Sequence, residues 1–200
     1  MRLEGSGLTC VRGSREVFSG LGFAVGSGEA LLVTGRNGAG KSSLLRMVAG
    51  LVRIAAGQLA ITGADPEKTI PEQAHYLGHQ DALKPSLTVT ENLAFWAHYL
   101  GSTETPAAAL AGVGLAAVAE LPAAYLSAGQ KRRLSMARLL AVKRSLWLLD
   151  EPTTALDREA QDTLSGLMRQ HLAGGGIILA AAHGPIGLDR AQELRLGAAA

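Results

Sequence analysis

Apolar positions along the chain follow two rhythms that take turns. Short, nearly uninterrupted apolar runs at residues 30–33, 58–62, 74–78, 146–149 and 177–181 have the length of strands. Glu193-Leu194-Arg195-Leu196 is a candidate for a further short edge strand. Between these runs, apolar residues recur at helical spacing over 41–49, closing at Gly50, and over 158–173. Strands alternating with helices predict an α/β fold with a mostly parallel sheet.

The middle of the chain breaks the rhythm. Thr88-Val89-Thr90-Glu91 has the form of a capping box and opens a helix over 92–100 that stops at Gly101. A short alanine-rich helix follows Pro106, and Ser127-Ala128-Gly129-Gln130 is a second capping box opening a helix through Val142. No strand pattern lies between residues 81 and 140. The expectation is a helical subdomain (81–140) inserted into one α/β core (1–80 and 141–200).

Bulk properties narrow the class. With 200 residues and 48% hydrophobic content the chain suits a single domain with an ample core. A net charge of +2 from scattered basic residues gives no electrostatic case for nucleic acid. The one cysteine, Cys10, excludes an internal disulfide and reads as a small buried hydrophobe. No apolar run reaches membrane-spanning length, and Met1-Arg2-Leu3-Glu4 lacks the apolar region of a secretory signal. A chain that is soluble, or peripheral to a membrane through a partner, is expected.

Chemistry enters at Gly35-Arg36-Asn37-Gly38-Ala39-Gly40-Lys41-Ser42, a complete G-x-x-x-x-G-K-S loop between a predicted strand and a predicted helix. Its glycines let backbone N–H groups turn inward around phosphates, and the helix start adds positive potential. Lys41 supplies a point charge for the β- and γ-phosphates, and Ser42, followed by Ser43, offers a hydroxyl to Mg²⁺. The run 146–149 ends in Asp150-Glu151. Carboxylates at the C-terminal edge of a strand sit beside such a loop, so Asp150 is the candidate Mg²⁺ ligand and Glu151 the candidate general base for water. Ser127 caps a helix start, which is itself an anion site.

In order and spacing, the loop 35–42, Leu126-Ser127-Ala128-Gly129-Gln130, residues 146–151, Ala155-Leu156-Asp157 and His183 together resemble the ATP-binding cassette ATPases of ABC transporters. The likeness spans essentially the whole chain. It implies a phosphate-loop NTPase core with a mostly parallel sheet, and ATP with Mg²⁺ as ligands. It also implies a homodimer in which ATP lies between loop 35–42 of one copy and Ser127, Gly129 and Gln130 of the other. Ala128 departs from the family's usual L-S-G-G-Q, while the serine and second glycine are kept. By the same resemblance, Gln80 is the glutamine-loop residue at the junction with the helical subdomain, able to reach Mg²⁺ or the attacking water. Asp157 is the aspartate lying across the dimer interface, and His183 is the switch histidine near the γ-phosphate. Arg12 stands where the family often stacks an aromatic on adenine; a guanidinium plane can do the same. Phe18 is the alternative for that stacking, though Val17 and Phe18 read more as strand core.

Residues 76–85 with 87–93 narrow the likeness to the ATP-binding subunits of cytochrome c maturation, which serve a haem exporter. This implies integral membrane subunits docking near residues 80–92, and a peripheral place on the cytoplasmic side of the bacterial inner membrane. An exporter of another substrate and an ATP-gated assembly switch of low turnover are the alternatives. His75 and His79 have same-face strand spacing but no carboxylate or thiol cluster to complete a metal site. They are read, with His98 and His171, as structural or surface groups, and Phe95 and Trp96 as core.

Overall fold

The computed structural model describes residues 1–102, 105–184 and 186–197. The chain divides into two compact units, one of Met1–Gly78, Arg144–Pro152 and Leu167–Ala200, the other of His79–Lys143 and Thr153–Gly166.

The first unit contains strands β1 (Arg2–Arg12), β2 (Arg15–Gly26), β3 (Ala30–Thr34), β4 (Ala56–Thr62), β5 (Ala74–Leu77), β6 (Leu146–Asp150), β7 (Ile177–Ala181) and β8 (Gln192–Arg195), with helix α1 (Lys41–Val48) after β3. Five strands form a parallel sheet in the order β5-β6-β7-β3-β8. β6 and β7 are buried at every position, as expected of central parallel strands covered on both faces, and their apolar composition follows from that. Leu31, Val33, Leu44, Leu45, Leu146, Leu148, Ile177 and Leu179 form the heart of the core.

β1, β2 and β4 make a separate antiparallel sheet in the order β2-β1-β4. In the first half of β1, Leu3 and Gly5 are buried while their neighbours are exposed, the period of two of a sheet with one wet face. The sequence pattern had placed strand character in this region only at Val17 and Phe18. The pairing of β1 with β2 shifts register between Gly5 and Leu8 and again beyond, so the alternation is interrupted and hard to read from hydropathy. β5 ends at Leu77, so His79 lies beyond the strand and shares no strand face with His75.

The second unit is helical: α2 (Val89–Tyr99), α3 (Ala107–Gly112) and α4 (Ala128–Ala141), with short 3-10 turns between them. Among the described residues between 81 and 140 there is no strand, only an isolated bridge from Thr88 to Pro122. Helix α5 (Arg158–Ala173) begins in this unit and ends in the first. Both capping boxes are formed. Glu91 N–H donates to Thr88 Oγ1 (3.1 Å) and Thr88 N–H to Glu91 Oε2 (2.8 Å). Gln130 N–H donates to Ser127 Oγ (3.2 Å) and Ser127 N–H to Gln130 Oε1 (2.9 Å).

Asn92 is buried and fixes the segment before α2, donating to the carbonyls of Lys84, Leu87 and Thr88 and accepting from Lys84 N–H. Phe95 does not enter the core. It is 44% exposed and joins Trp96 and Tyr99 in a surface cluster, because apolar contact on α2 is taken up by Val89, Leu93 and Ala97. Trp96 is half-buried, donates to Ala82 O (3.1 Å) and lies under the Arg138 guanidinium, 4.7 Å from its ring centre.

Candidate functional site

Loop 35–40 leaves β3 and turns into α1 at Gly40, whose φ of 104° lies in the left-handed region. A Cβ at Gly40 would sit 2.6 Å from Val17 Cγ1 and 2.9 Å from Phe18 Cδ1, so β2 closes the space beneath the loop. No side chain caps α1, which leaves its first N–H groups to an incoming anion.

Lys41 is buried and turns back along the loop. Its Nζ donates to Gly35 O (2.9 Å) and reaches Arg36 O (3.5 Å). The same Nζ lies 3.3 Å from His183 Nε2, and that ring nitrogen is 3.5 Å from Glu151 Oε1. An ammonium only donates, and an ionised carboxylate only accepts. Nε2 therefore takes a hydrogen bond from Lys41 when bare and gives one to Glu151 when it carries the proton. His183 sits two residues past β7 and is half-exposed.

Ser42, on the first turn of α1, donates from Oγ to Asp150 Oδ1 (2.9 Å). Asp150 closes β6 and is 1% exposed. Glu151 follows with φ of 50°, an uncommon conformation for a non-glycine residue, and its N–H donates to Ala181 O (2.8 Å). Hydrogen-bonded parallel neighbours β6 and β7 thus carry the carboxylates and the histidine to one edge of the sheet, beside loop 35–42. The motifs of the sequence had pointed to Lys41, Ser42, Asp150 and Glu151, and the family resemblance to His183; the fold brings these side chains together.

Tyr76, on β5, also joins this group. Its Oη donates to Asp150 Oδ2 (3.2 Å) and accepts from Arg46 Nε of α1 (3.1 Å). Burial pushes the phenol above its ordinary value, and the hydrogen bond to Tyr76 raises Arg46. Sequence reasoning missed Tyr76, whose place in a short apolar run gives no sign of a partner on the next strand.

Other expected residues are less engaged in this unit. Arg12 is exposed at the end of β1, paired in register with Arg15 at the hairpin tip. Cys10 is buried, and burial raises the pKa of its thiol. His75 is buried, and His171 stacks on Trp147 with ring centres 4.0 Å apart. Among the described residues no group of three or more His, Cys, Asp or Glu is placed to hold a metal.

The second unit gathers the remaining candidates. Ser127 and Ala128 are exposed at the start of α4, while Gly129 and Gln130 are half-buried. A Cβ at Gly129 would lie 3.3 Å from Ala155 O, so a side chain there would crowd the turn before α5. Asp157 Oδ1 accepts from Ala160 N–H (2.8 Å) and Oδ2 from Arg133 Nη2 (2.7 Å). The backbone hydrogen bond, with the charge of Arg133, holds this carboxyl below the usual range. Gln80 is exposed, and its neighbour Asp81 is anchored on α4 by Arg132 (3.4 Å) and Ser135 (3.0 Å). Among the described residues, no helix is long and apolar enough to cross a membrane.

Known proteins resemble this arrangement over the full length. The family model described as ABC transporter matches residues 18–154. The chain is 65% identical to the cytochrome c biogenesis ATP-binding export protein CcmA of Nitrobacter winogradskyi, with 100% of each chain covered. It is 62% identical to the protein of the same name in Rhodopseudomonas palustris, again over 100% of both. A solved ATP-binding subunit of an ABC transporter superimposes with a TM-score of 0.86 at 26% identity, covering 98% of this chain and 86% of that one.

Proposed function

The chain belongs to the ABC transporter family of ATP-binding proteins, and we propose that it is the ATP-hydrolysing subunit of a membrane export complex for cytochrome c biogenesis, acting in haem export or haem-chaperone release. The biogenesis role is supported by the full-length identity to relatives named for it. The chemistry is supported by one observation above the others: Lys41 Nζ and Glu151 Oε1 both lie within 3.5 Å of His183 Nε2, next to the Ser42–Asp150 pair.

In this reading, backbone N–H groups of loop 35–42 and the ammonium of Lys41 hold the β- and γ-phosphates. Ser43 extends the phosphate contacts of the α1 start, and Arg12 stacks on the base. Glu151 takes a proton from water as its oxygen attacks the γ-phosphorus, and ADP departs as the leaving group. His183 holds the γ-phosphate, and Gln80 orients the attacking water.

The oxygen donors of Ser42 and Asp150 fit Mg²⁺, which binds through one or two carboxylates together with substrate phosphates. When bound there, Mg²⁺ neutralises charge on the phosphate oxygens. Two copies pack head to tail, with Ser127, Gly129 and Gln130 of one completing the site on the other and Asp157 crossing between them. Membrane subunits dock near residues 80–92, and the chain sits peripherally on the cytoplasmic face of the bacterial inner membrane.

Replacing Glu151 by Gln keeps size and polarity but removes the base. ATP hydrolysis by the subunit with its membrane partners should fall at least about 100-fold while ATP binding persists. Hydrolysis at the wild-type rate in Glu151→Gln would falsify the assignment.

A further inference from the structure

Asp150 has two carboxylate oxygens, and its pairing with Ser42 engages Oδ1. Oδ1 receives the Ser42 hydroxyl, while Oδ2 is met by Tyr76 Oη at 3.2 Å. Arg46 Nε lies 3.1 Å from the same phenol oxygen. The guanidinium N–H can only donate, so the phenol accepts there and its single proton points to Asp150. The direction of donation is thereby fixed, from Arg46 to Tyr76 to Asp150 Oδ2, while Ser42 donates to Oδ1. These groups come from α1, β5 and β6, which makes the arrangement a property of the sheet and not of a mobile loop.

The backbone makes room for it. A Cβ at residue 78 would lie 3.0 Å from Tyr76 Cε1 and 3.1 Å from Oη, closer than a side chain ordinarily approaches. Gly78 is therefore the residue that lets the ring lie where its hydroxyl meets Asp150.

We propose that Tyr76 is a positioning residue for Mg²⁺ binding: it clamps Asp150 Oδ2 and so keeps Oδ1 turned to Ser42. Tyr76 touches neither nucleotide nor metal in this role; it acts through Asp150. The inference rests on the reading of Ser42 and Asp150 as the Mg²⁺-holding pair. Groups that orient a metal ligand commonly change metal affinity by one to two orders of magnitude when lost.

The test uses the full chain and a fluorescent ATP analogue, trinitrophenyl-ATP, titrated at buffered Mg²⁺ concentrations. In Tyr76→Phe the Mg²⁺ concentration giving half-maximal enhancement of nucleotide binding should rise about tenfold, with Mg²⁺-free affinity unchanged. Gly78→Ala, which keeps the hydroxyl but displaces the ring, should shift the same curve in the same direction. With Asp150→Asn already present, Tyr76→Phe should add no further shift. A Tyr76→Phe curve matching wild type overturns the inference, as does an equal loss of Mg²⁺-free affinity, which marks a general structural defect. The inference also fails if the full shift persists in the Asp150→Asn background. If wild type itself shows no Mg²⁺ dependence, the Ser42–Asp150 reading falls and this inference with it.

Discussion

Glu151 combines two demands that pull against each other. Its backbone sits at φ of 50°, and a non-glycine residue held there costs on the order of 1–3 kcal/mol. Its position past the end of β6 aims the carboxylate at His183 Nε2, 3.5 Å away. Comparing Glu151→Gly with Glu151→Ala isolates the backbone part, since both remove the carboxylate. The glycine variant should be the more stable by about 1 kcal/mol in urea unfolding, and both should lose hydrolysis. Equal midpoints for the two variants would mean that no strain is stored at this residue. The sequence made Glu151 legible by its neighbour Asp150 and the apolar run before them, yet it carried no sign of the left-handed turn. Tyr76 was illegible for a related reason: its partners, Arg46 and Asp150, lie 30 and 74 positions away, and only the folded arrangement of α1, β5 and β6 brings them within reach.

Helices and strands differed in how openly they declared themselves. Ile177–Ala181 could be read residue for residue because a strand buried on both faces has no polar positions to confuse its ends. α4 declared its start through Ser127 and Gln130, whose reciprocal hydrogen bonds are a local device. β1 and β2 stayed hidden because glycines and register shifts interrupt the alternation over Arg2–Gly26. The α4 cap also separates stability from function. Ser127→Ala should cost about 1 kcal/mol of unfolding free energy, and Ser127→Asn, also a good cap, should restore most of it. If Ser127 further donates to ATP in the partner copy, both variants should remain impaired in turnover, by roughly 100-fold. Turnover recovered by Ser127→Asn would reduce Ser127 to a cap.

A second element-level test comes from the end of α5. His171 stacks on Trp147 of β6, and burial lowers its pKa below 6.5, against a weaker upward pull from carbonyl hydrogen bonds. The folded state then binds fewer protons than the unfolded state between the two values, so stability rises with pH across that window. The contribution is complete above the unfolded value and is lost as pH falls through the folded one. Thermal unfolding followed from pH 7.5 down to about 5 should therefore show a decline that begins near 6.5 and is flatter in His171→Phe, whatever the absolute stability of that variant. Parallel profiles would remove His171 from the account.

Across the whole molecule, the candidate residues divide between the two units: Lys41, Ser42, Asp150, Glu151 and His183 in one, Gln80, Ser127, Gly129, Gln130 and Asp157 in the other. In the proposed reading the first set supplies positive charge, a base and oxygen donors for a triphosphate, while the helix start at Ser127 and Ala128 is exposed to solvent. If what meets that helix start is the nucleotide held by a second copy, ATP is the adhesive between copies, and blocking hydrolysis should lock the pair. Glu151→Gln with ATP and Mg²⁺ should thus run in light scattering at twice the monomer mass, and return to monomer when ATP is withdrawn. Adding Ser127→Arg to the same chain should abolish the dimer while leaving binding of trinitrophenyl-ATP intact, because the phosphate loop of each copy is untouched. Adding Lys41→Ala should abolish both. A Glu151→Gln, Ser127→Arg chain that still dimerises with ATP would place the contact elsewhere and leave Ser127 outside the site. The contrast between the two double variants is what carries the argument, since only a site shared between copies lets nucleotide affinity and dimer formation come apart in one and vanish together in the other.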